Sequence, residues 1–195
     1  KLPIDVQEMG IDACCLSGHK FHAPKGVGAL YLKRKNPRVS IIPLIHGGSH
    51  ENTKRSGSLN VPGIVGLGKA CEIAKTEYWD NNMEVSKLRG YLEHQLLEID
   101  DLRINGSTRY RLYNTSNIYF PPLADGSKLF NTIKLNYAVS LGSACNSNQA
   151  NPSHVLTAMG LTKTEAEHCI RFSFGNKSQK SDVEALSAFI LSQYT

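Results

Sequence analysis

SGHKFHAPKGVGALYLKR, Ser17–Arg34, is the stretch on which the fold turns. The apolar run Ile11–Leu16 leads into Ser-Gly-His-Lys, and GVGALYL at Gly26–Leu32 is a second apolar run. Both read as buried strands, with Pro24 and Gly26 turning the chain between them. Gly26-Val27-Gly28 is too short for a dinucleotide fingerprint and reads as a strand-packing device. On an extended segment, Ser17 and His19 fall on one side and Lys20 on the other, so opposite faces could handle a phosphate and a carbonyl. A lysine beside a histidine is ordinarily solvated surface. An amine that condenses with a carbonyl needs a neighbouring cation, an apolar wall or a cofactor to lower its pKa.

Outward from that stretch, the order of elements is mixed α/β. Ile45–Asn60 holds three glycines among polar residues and reads as a loop whose backbone can approach a ligand or a neighbouring subunit closely. Pro62 sits in the first turn of a helix over Gly63–Thr76. A second helix over Asn81–Ile99 carries Val85, Leu88, Leu92, Leu96 and Ile99 on one apolar face. Beyond Asp100 the pattern changes. Leu102–Asn105, Thr115–Phe120 and Tyr137–Ser140 read as strands and Ser127–Leu135 as a helix. Asn151-Pro152 reads as a helix start that Gly160 stops. Thr164 with Glu167, and Ser181 with Glu184, read as capping boxes. Ile170, Phe172 and Phe174 alternate along a strand, and Val183, Leu186 and Ile190 face inward from the last helix. The change near residues 77–82 marks a boundary between two lobes.

Composition narrows the class. With 41% apolar and 20% charged residues, the 195-residue chain is globular in character. The net charge of +5 is spread along the chain without aromatic interleaving, which argues against a nucleic-acid stripe and suits small anionic ligands. Five cysteines (Cys14, Cys15, Cys71, Cys145, Cys169) without CxxC spacing point to a reduced, cytoplasmic setting, with neither a zinc site nor a disulfide framework. His46, His50 and His154 show no metal-ligand spacing. No apolar run reaches membrane-spanning length.

Three further residues carry candidate chemistry. Cys145, flanked by Ser143, Ala144 and Asn146, has room around its sulfur but no adjacent cation in sequence to stabilise a thiolate. Arg171 projects from the strand face opposite Ile170, Phe172 and Phe174, where it suits a bidentate grip on a carboxylate or a structural salt bridge. Arg55, beside Ser56, Gly57 and Ser58, suits a phosphate or plain solvent.

SGHKFHAPKGVGALYLKR (Ser17–Arg34), HGGSHENTKRSGSLNVPGIVGLGKA (His46–Ala70), GSACNSNQANPSHVLTAMGL (Gly142–Leu161) and IRFSFG (Ile170–Gly175) occur in order. Together they resemble the cysteine desulfurases of the NifS/IscS type, class V members of the fold-type I enzymes that use pyridoxal 5′-phosphate (PLP). The resemblance covers nearly the whole chain. It implies the C-terminal part of that fold: the end of the large mixed-sheet PLP-binding domain over residues 1–77, then a smaller α+β domain over 78–195 with the cysteine loop. It implies that Lys20 holds PLP covalently, with Ser17 and His19 on its phosphate. The Arg55–Ser58 loop would reach across a homodimer interface so that Ser58 meets the partner's phosphate. Arg171 would grip the carboxylate of L-cysteine. Cys145 would take the sulfur as a persulfide, releasing L-alanine and feeding iron–sulfur cluster or thiolation pathways through an acceptor or scaffold protein.

Where the family usually has Gly before Pro24 this chain has Ala23, where Thr is common it has Ser58, and where Ser is common it has Leu141. The tail ending at Thr195 is shorter than in desulfurases that dock a scaffold through an extended C-terminus. The family's acidic partner for the pyridine nitrogen, its ring-stacking His and its upstream phosphate turn all precede the Schiff-base lysine. On this reading the polypeptide by itself builds half a site and is inactive alone. Two alternatives accompany it: a selenocysteine lyase, and, in this shortened form, a non-catalytic dimerisation module.

Overall fold

The computed structural model describes residues 1–125, 128–141 and 153–195. It divides into two compact units, Lys1–Trp79 and Asp80–Thr195.

In the first unit, strand β1 (Ala13–Ser17) pairs antiparallel with β2 (Gly28–Leu32), placing Ser17 opposite Gly28. A side chain at 28 is impossible in this register, because its Cβ would lie 2.4 Å from the Leu16 carbonyl oxygen. Helix α1 (Val61–Thr76) opens two residues earlier than its periodicity predicts. Asn60 caps it, accepting the Gly63 amide at 3.1 Å, and Pro62 occupies the first turn where no amide is needed. Gly66 lets α1 lie against the turn after β1, since a Cβ there would approach Pro24 Cγ to 2.7 Å.

The strands themselves are not buried as their composition predicts. Cys15, Leu16 and Leu30 are exposed, and in the segment that follows Ile42 and Leu44 are 91% and 94% exposed. Apolar residues on both faces are the pattern of a strand covered on both sides. Within this unit nothing supplies the covering layers.

The second unit is built on a three-stranded antiparallel sheet in the order β3 (Arg103–Ile104), β4 (Thr115–Tyr119), β5 (Cys169–Ser173). Helix α2 (Tyr78–Leu96) begins at the junction with the first unit. With α3 (Leu129–Ile133) and α6 (Lys180–Leu191), it covers one sheet face. Leu92, Leu96, Ile99, Ile118, Phe120, Ile133, Ile170, Phe172, Val183, Leu186 and Ile190 form a single core, in which Phe120 and Phe172 meet edge to face at 6.2 Å. Leu88, Leu92 and Leu96 of the stripe read on the second helix and the alternating residues of β5 lie in or against this core, while Val85 is buried outside it. Ile99 belongs to it from just past the helix end.

Besides α1, several boundaries and caps differ from the sequence reading, α2 running Tyr78–Leu96 rather than Asn81–Ile99. Tyr137–Ser140 is not a strand; only Ser140 bridges to Arg171. Helix α4 (His154–Ala158) takes Ser153 as its N-cap, and Asn151-Pro152 lies outside the described residues. The capping box of α5 (Lys163–Glu167) is formed by Thr162 with Glu165, not Thr164 with Glu167. That of α6 is formed by Gln179 with Asp182, not Ser181 with Glu184. Gly160 does stop α4, at φ +95°. Among the described residues no helix is long and apolar enough to cross a membrane.

Among the described residues of this unit, one charged side chain is buried, beside the buried polar Asn114, Ser116 and Ser187. Glu93 on α2 is buried and accepts both terminal nitrogens of Arg111 at 2.7 Å and the Ser116 hydroxyl at 2.6 Å. Arg89 stands 3.8 Å away and donates to the Leu112 carbonyl. Full hydrogen bonding of the carboxylate is what makes its burial tolerable.

Candidate active site

The first cluster grows from the end of β1. Ser17 is the last strand residue, and Gly18–Phe21 is a 3-10 turn rather than extended chain. Strand alternation therefore does not separate Ser17 and His19 from Lys20. The turn is pinned at both ends: the Gly18 amide donates to the Val27 carbonyl at 3.0 Å and the Ala23 amide to the Gly18 carbonyl at 3.1 Å. His22 closes it in the left-handed region at φ 72°. Gly18 is buried so tightly that a Cβ would sit 2.8 Å from the Val27 oxygen and 3.0 Å from Ala23 Cβ. The Ser17 hydroxyl lies 3.1 Å from His19 Nδ1. Lys20 is exposed and makes no ion pair with a described residue. A hydroxyl, an imidazole and an amine thus stand within four consecutive residues on a turn held by backbone hydrogen bonds at both ends.

The second cluster is the loop His46–Ser58. Ser56 is buried; its hydroxyl donates to the Gly48 carbonyl at 2.7 Å and its amide donates to the Ile45 carbonyl. Arg55 Nη1 donates to the carbonyls of Gly57 and Ser58 at 3.0 and 3.1 Å. Both protons of that nitrogen are committed to the loop's own backbone. Glu51, Asn52 and Thr53 all have positive φ, a left-handed turn of non-glycine residues. A wide concavity of about 1330 Å³ opens beside β2, lined by Val27, Leu30, Val39, Ile41 and Leu67. Arg55 also lines it, whereas Ser17, His19 and Lys20 do not.

The third cluster is on the sheet of the second unit. Arg171 lies on β5 with its Cα opposite Asn117. Its neighbours Ile170 and Phe172 are buried on the other face, as alternation requires. The Arg171 amide donates to the Ser140 carbonyl at 2.7 Å. Among the described residues no carboxylate pairs with its guanidinium. Cys145 and the GSAC segment lie outside the described residues. Cys169, whose thiol is pushed up by burial, is held between Asn105 Nδ2 at 3.1 Å and the Glu165 carbonyl at 3.2 Å, consistent with an inert core thiol. Among the described residues no group of His, Cys, Asp and Glu is arranged to hold a metal.

The sequence reading missed Asn105 and Asn117. Both sit at polar positions of strands whose signal is apolar alternation, and only the register brings them beside Arg171.

The Aminotransferase class-V family pattern matches residues 1–186, and the chain belongs to that family. Its fold is the corresponding part of the PLP fold-type I architecture. Among curated relatives, it is 44% identical to "Cysteine desulfurase IscS" of Anaeromyxobacter dehalogenans over 94% of this chain and 45% of that protein. It is 43% identical to the protein of the same name from Methanosarcina thermophila, again over 94% of this chain and 45% of that one. A solved "NIFS-LIKE PROTEIN" superposes with TM-score 0.82 at 34% identity, covering 98% of this chain and 48% of that one. The NifS-like protein of Rickettsia africae superposes with TM-score 0.83 at 31% identity, covering 99% of this chain and 50% of that one. The chain spans about half the length of the relatives it matches.

Proposed function

We propose that the whole protein is a PLP-dependent cysteine desulfurase, converting L-cysteine to L-alanine with transfer of sulfur to Cys145. The observation that carries this is the rigid Ser17–Lys20 turn, in a chain of the aminotransferase class-V family whose relatives bear the desulfurase name.

The turn fits the cofactor by the chemistry of its donors. A phosphate dianion wants a hydroxyl and an imidazole close together, and Ser17 and His19 are already in contact at 3.1 Å. Lys20 Nζ, exposed and unpaired among described residues, is the atom that would hold the cofactor's carbonyl carbon. PLP, when bound, supplies the electron sink for bond breaking at the substrate carbons. Everything else falls to the chain. Arg171 binds the substrate carboxylate through its guanidinium fork and fixes the substrate's orientation. The Cys145 thiolate attacks the substrate sulfur: the carbon–sulfur bond breaks, a sulfur–sulfur bond forms, and the carbon keeps the electron pair. Protonation of that carbon gives the methyl group of alanine. The step is redox-neutral overall, one thiol and one cysteine giving one persulfide and one alanine.

On this reading residues 1–77 complete the large PLP-binding domain and 78–195 form the small domain. Ser58, on a loop with Arg55 that is exposed and internally braced, reaches the phosphate of a partner subunit in a homodimer. The persulfide passes to a cytoplasmic acceptor protein.

Mixing the whole protein with PLP and L-cysteine should yield alanine and Cys145 persulfide in equal amounts, read by mass spectrometry. Cys145→Ala should abolish the persulfide, and Lys20→Ala the cofactor's covalent absorbance. Undiminished sulfur release by Cys145→Ala would overturn the mechanism. Faster turnover of L-selenocysteine than of L-cysteine would make the protein a lyase for the selenium substrate.

A further inference from the structure

One row of side chains crosses the sheet of the second unit: Asn105, Asn117, Arg171, Ser140. Asn117 is the direct partner of Arg171 in the β4–β5 register. Arg171 and Ser140 exchange backbone hydrogen bonds at 2.7 and 3.3 Å, and the Asn105 amide donates to the Asn117 carbonyl at 2.8 Å. Directly opposed residues of an antiparallel pair share a face, with Cβ atoms about 4.5–5.5 Å apart. The face is the one turned away from the main core, because Ile118 and Ile170 are buried on the other. Toward its far end Leu156, Leu161 and Ala166 cover Cys169 and Tyr119. At Asn117 and Arg171 both residues remain partly open to solvent.

Hydrogen-bond polarity gives the row its meaning. Asn105 Nδ2 donates to Asn117 Oδ1 at 2.6 Å. That bond occupies the Asn117 oxygen and fixes which end of its carboxamide is free: the NH₂. Beside it stands a guanidinium, which has donors only. Two donor groups cannot satisfy one another, and no described residue offers either an acceptor. A ligand with two oxygens and a negative charge would complete them both.

We propose that Asn117 is a specificity-determining residue for the substrate carboxylate, donating from Nδ2 to one carboxylate oxygen while Arg171 holds the group through its fork. The substrate class is thereby an α-amino acid with a free carboxylate, in preference to an amine or amide of the same side chain. This rests on the carboxylate-binding role proposed above for Arg171 and adds a second, independent donor to it.

The test uses the PLP-loaded whole protein and compares L-cysteine with cysteamine, the same aminothiol without the carboxylate. Asn117→Asp keeps the size and the oxygen that accepts from Asn105, but turns the free donor into an anionic acceptor. It should raise KM for L-cysteine about tenfold or more, the scale of one hydrogen bond to a charged group, with kcat little changed. The inhibition constant of cysteamine should stay within about twofold of the parent's. Asn117→Ala should show the same split more weakly, and a thermal melt separates that effect from loss of folding. An unchanged KM in Asn117→Asp, or equal shifts for both compounds, overturns the inference. Arg171→Ala is the control: if it raises KM and Asn117→Asp does not, the inference alone falls. If Arg171→Ala leaves KM unchanged, the carboxylate assignment falls and takes the inference with it.

Discussion

At the scale of single residues, Gly18 decides whether the Ser17–Lys20 turn exists. A Cβ at that position meets a backbone oxygen at 2.8 Å, an atom that cannot swing aside, with Leu67 Cδ1 at 3.2 Å on another side. Gly18→Ala should therefore destabilise the protein by about 1–3 kcal/mol, the range for forced overpacking. The clash lies beneath Ser17 and His19, so PLP affinity should fall in the same variant. Urea denaturation and a cofactor titration measure the two effects; a variant with unchanged stability and affinity would show that the turn yields after all. The residue types of this cluster were legible only through the four ordered motifs, since a lysine beside a histidine is by itself ordinary surface. Its geometry was not. Strand alternation assigns Lys20 to the opposite face from His19, whereas the left-handed closure at His22 winds the segment into a turn. Arg55 shows the same limit. Its charge invites an anion, but its hydrogen bonds to Gly57 and Ser58 also brace the loop, and no local pattern distinguishes those uses.

At the scale of elements, helices were easier to find than their ends. In TKTEAE, Thr162-x-x-Glu165 and Thr164-x-x-Glu167 satisfy the same capping pattern, and the sequence cannot choose between them. The choice is made by a tertiary partner. Arg103 on β3 reaches Glu165 at 2.6 Å and lies over the Tyr119 ring at 4.2 Å, so Glu165 is held where it also receives the Thr162 amide. The Arg103 guanidinium, with the Thr162 backbone and hydroxyl bonds, holds this carboxyl down at about 2, below its ordinary value of 4.5. The sign follows: in the unfolded chain the group binds a proton near its ordinary value, while the folded chain resists doing so. Its contribution is fully present above about pH 4.5 and is lost as pH falls toward 2. Glu165→Gln should remove that part of the acid sensitivity. Denaturation midpoints compared at neutral pH and near pH 2.5 should differ less in the variant than in the parent. An equal drop in both would show that Glu165 does not carry it. The Glu93–Arg111–Ser116 network belongs to the same scale, since residues far apart in sequence meet only once α2 lies on the sheet.

At the scale of the molecule, the family was legible because four motifs in fixed order constrain far more than any one. The burial of the strands was not, because it depends on what surrounds them. The two units differ sharply in this respect. The second holds a continuous core around Leu92, Phe120, Ile133, Ile170 and Ile190, while the first buries only Ala23 and Ala70 among its described apolar side chains. Its strands and α1 instead leave Leu16, Leu30, Ile64 and Val65 in solvent. A unit that removes so little apolar surface from water cannot offset the entropy of ordering its backbone, at roughly 1–2 kcal/mol per residue. Residues 80–195 expressed alone should therefore unfold in one cooperative thermal transition with dispersed amide resonances. Residues 1–79 expressed alone should lack a transition and associate through their open apolar faces, as sedimentation would show. Cooperative unfolding of isolated residues 1–79 would mean that the short β1–β2 pair and α1 draw their stability from local structure, and that the exposed faces are not demanding a cover.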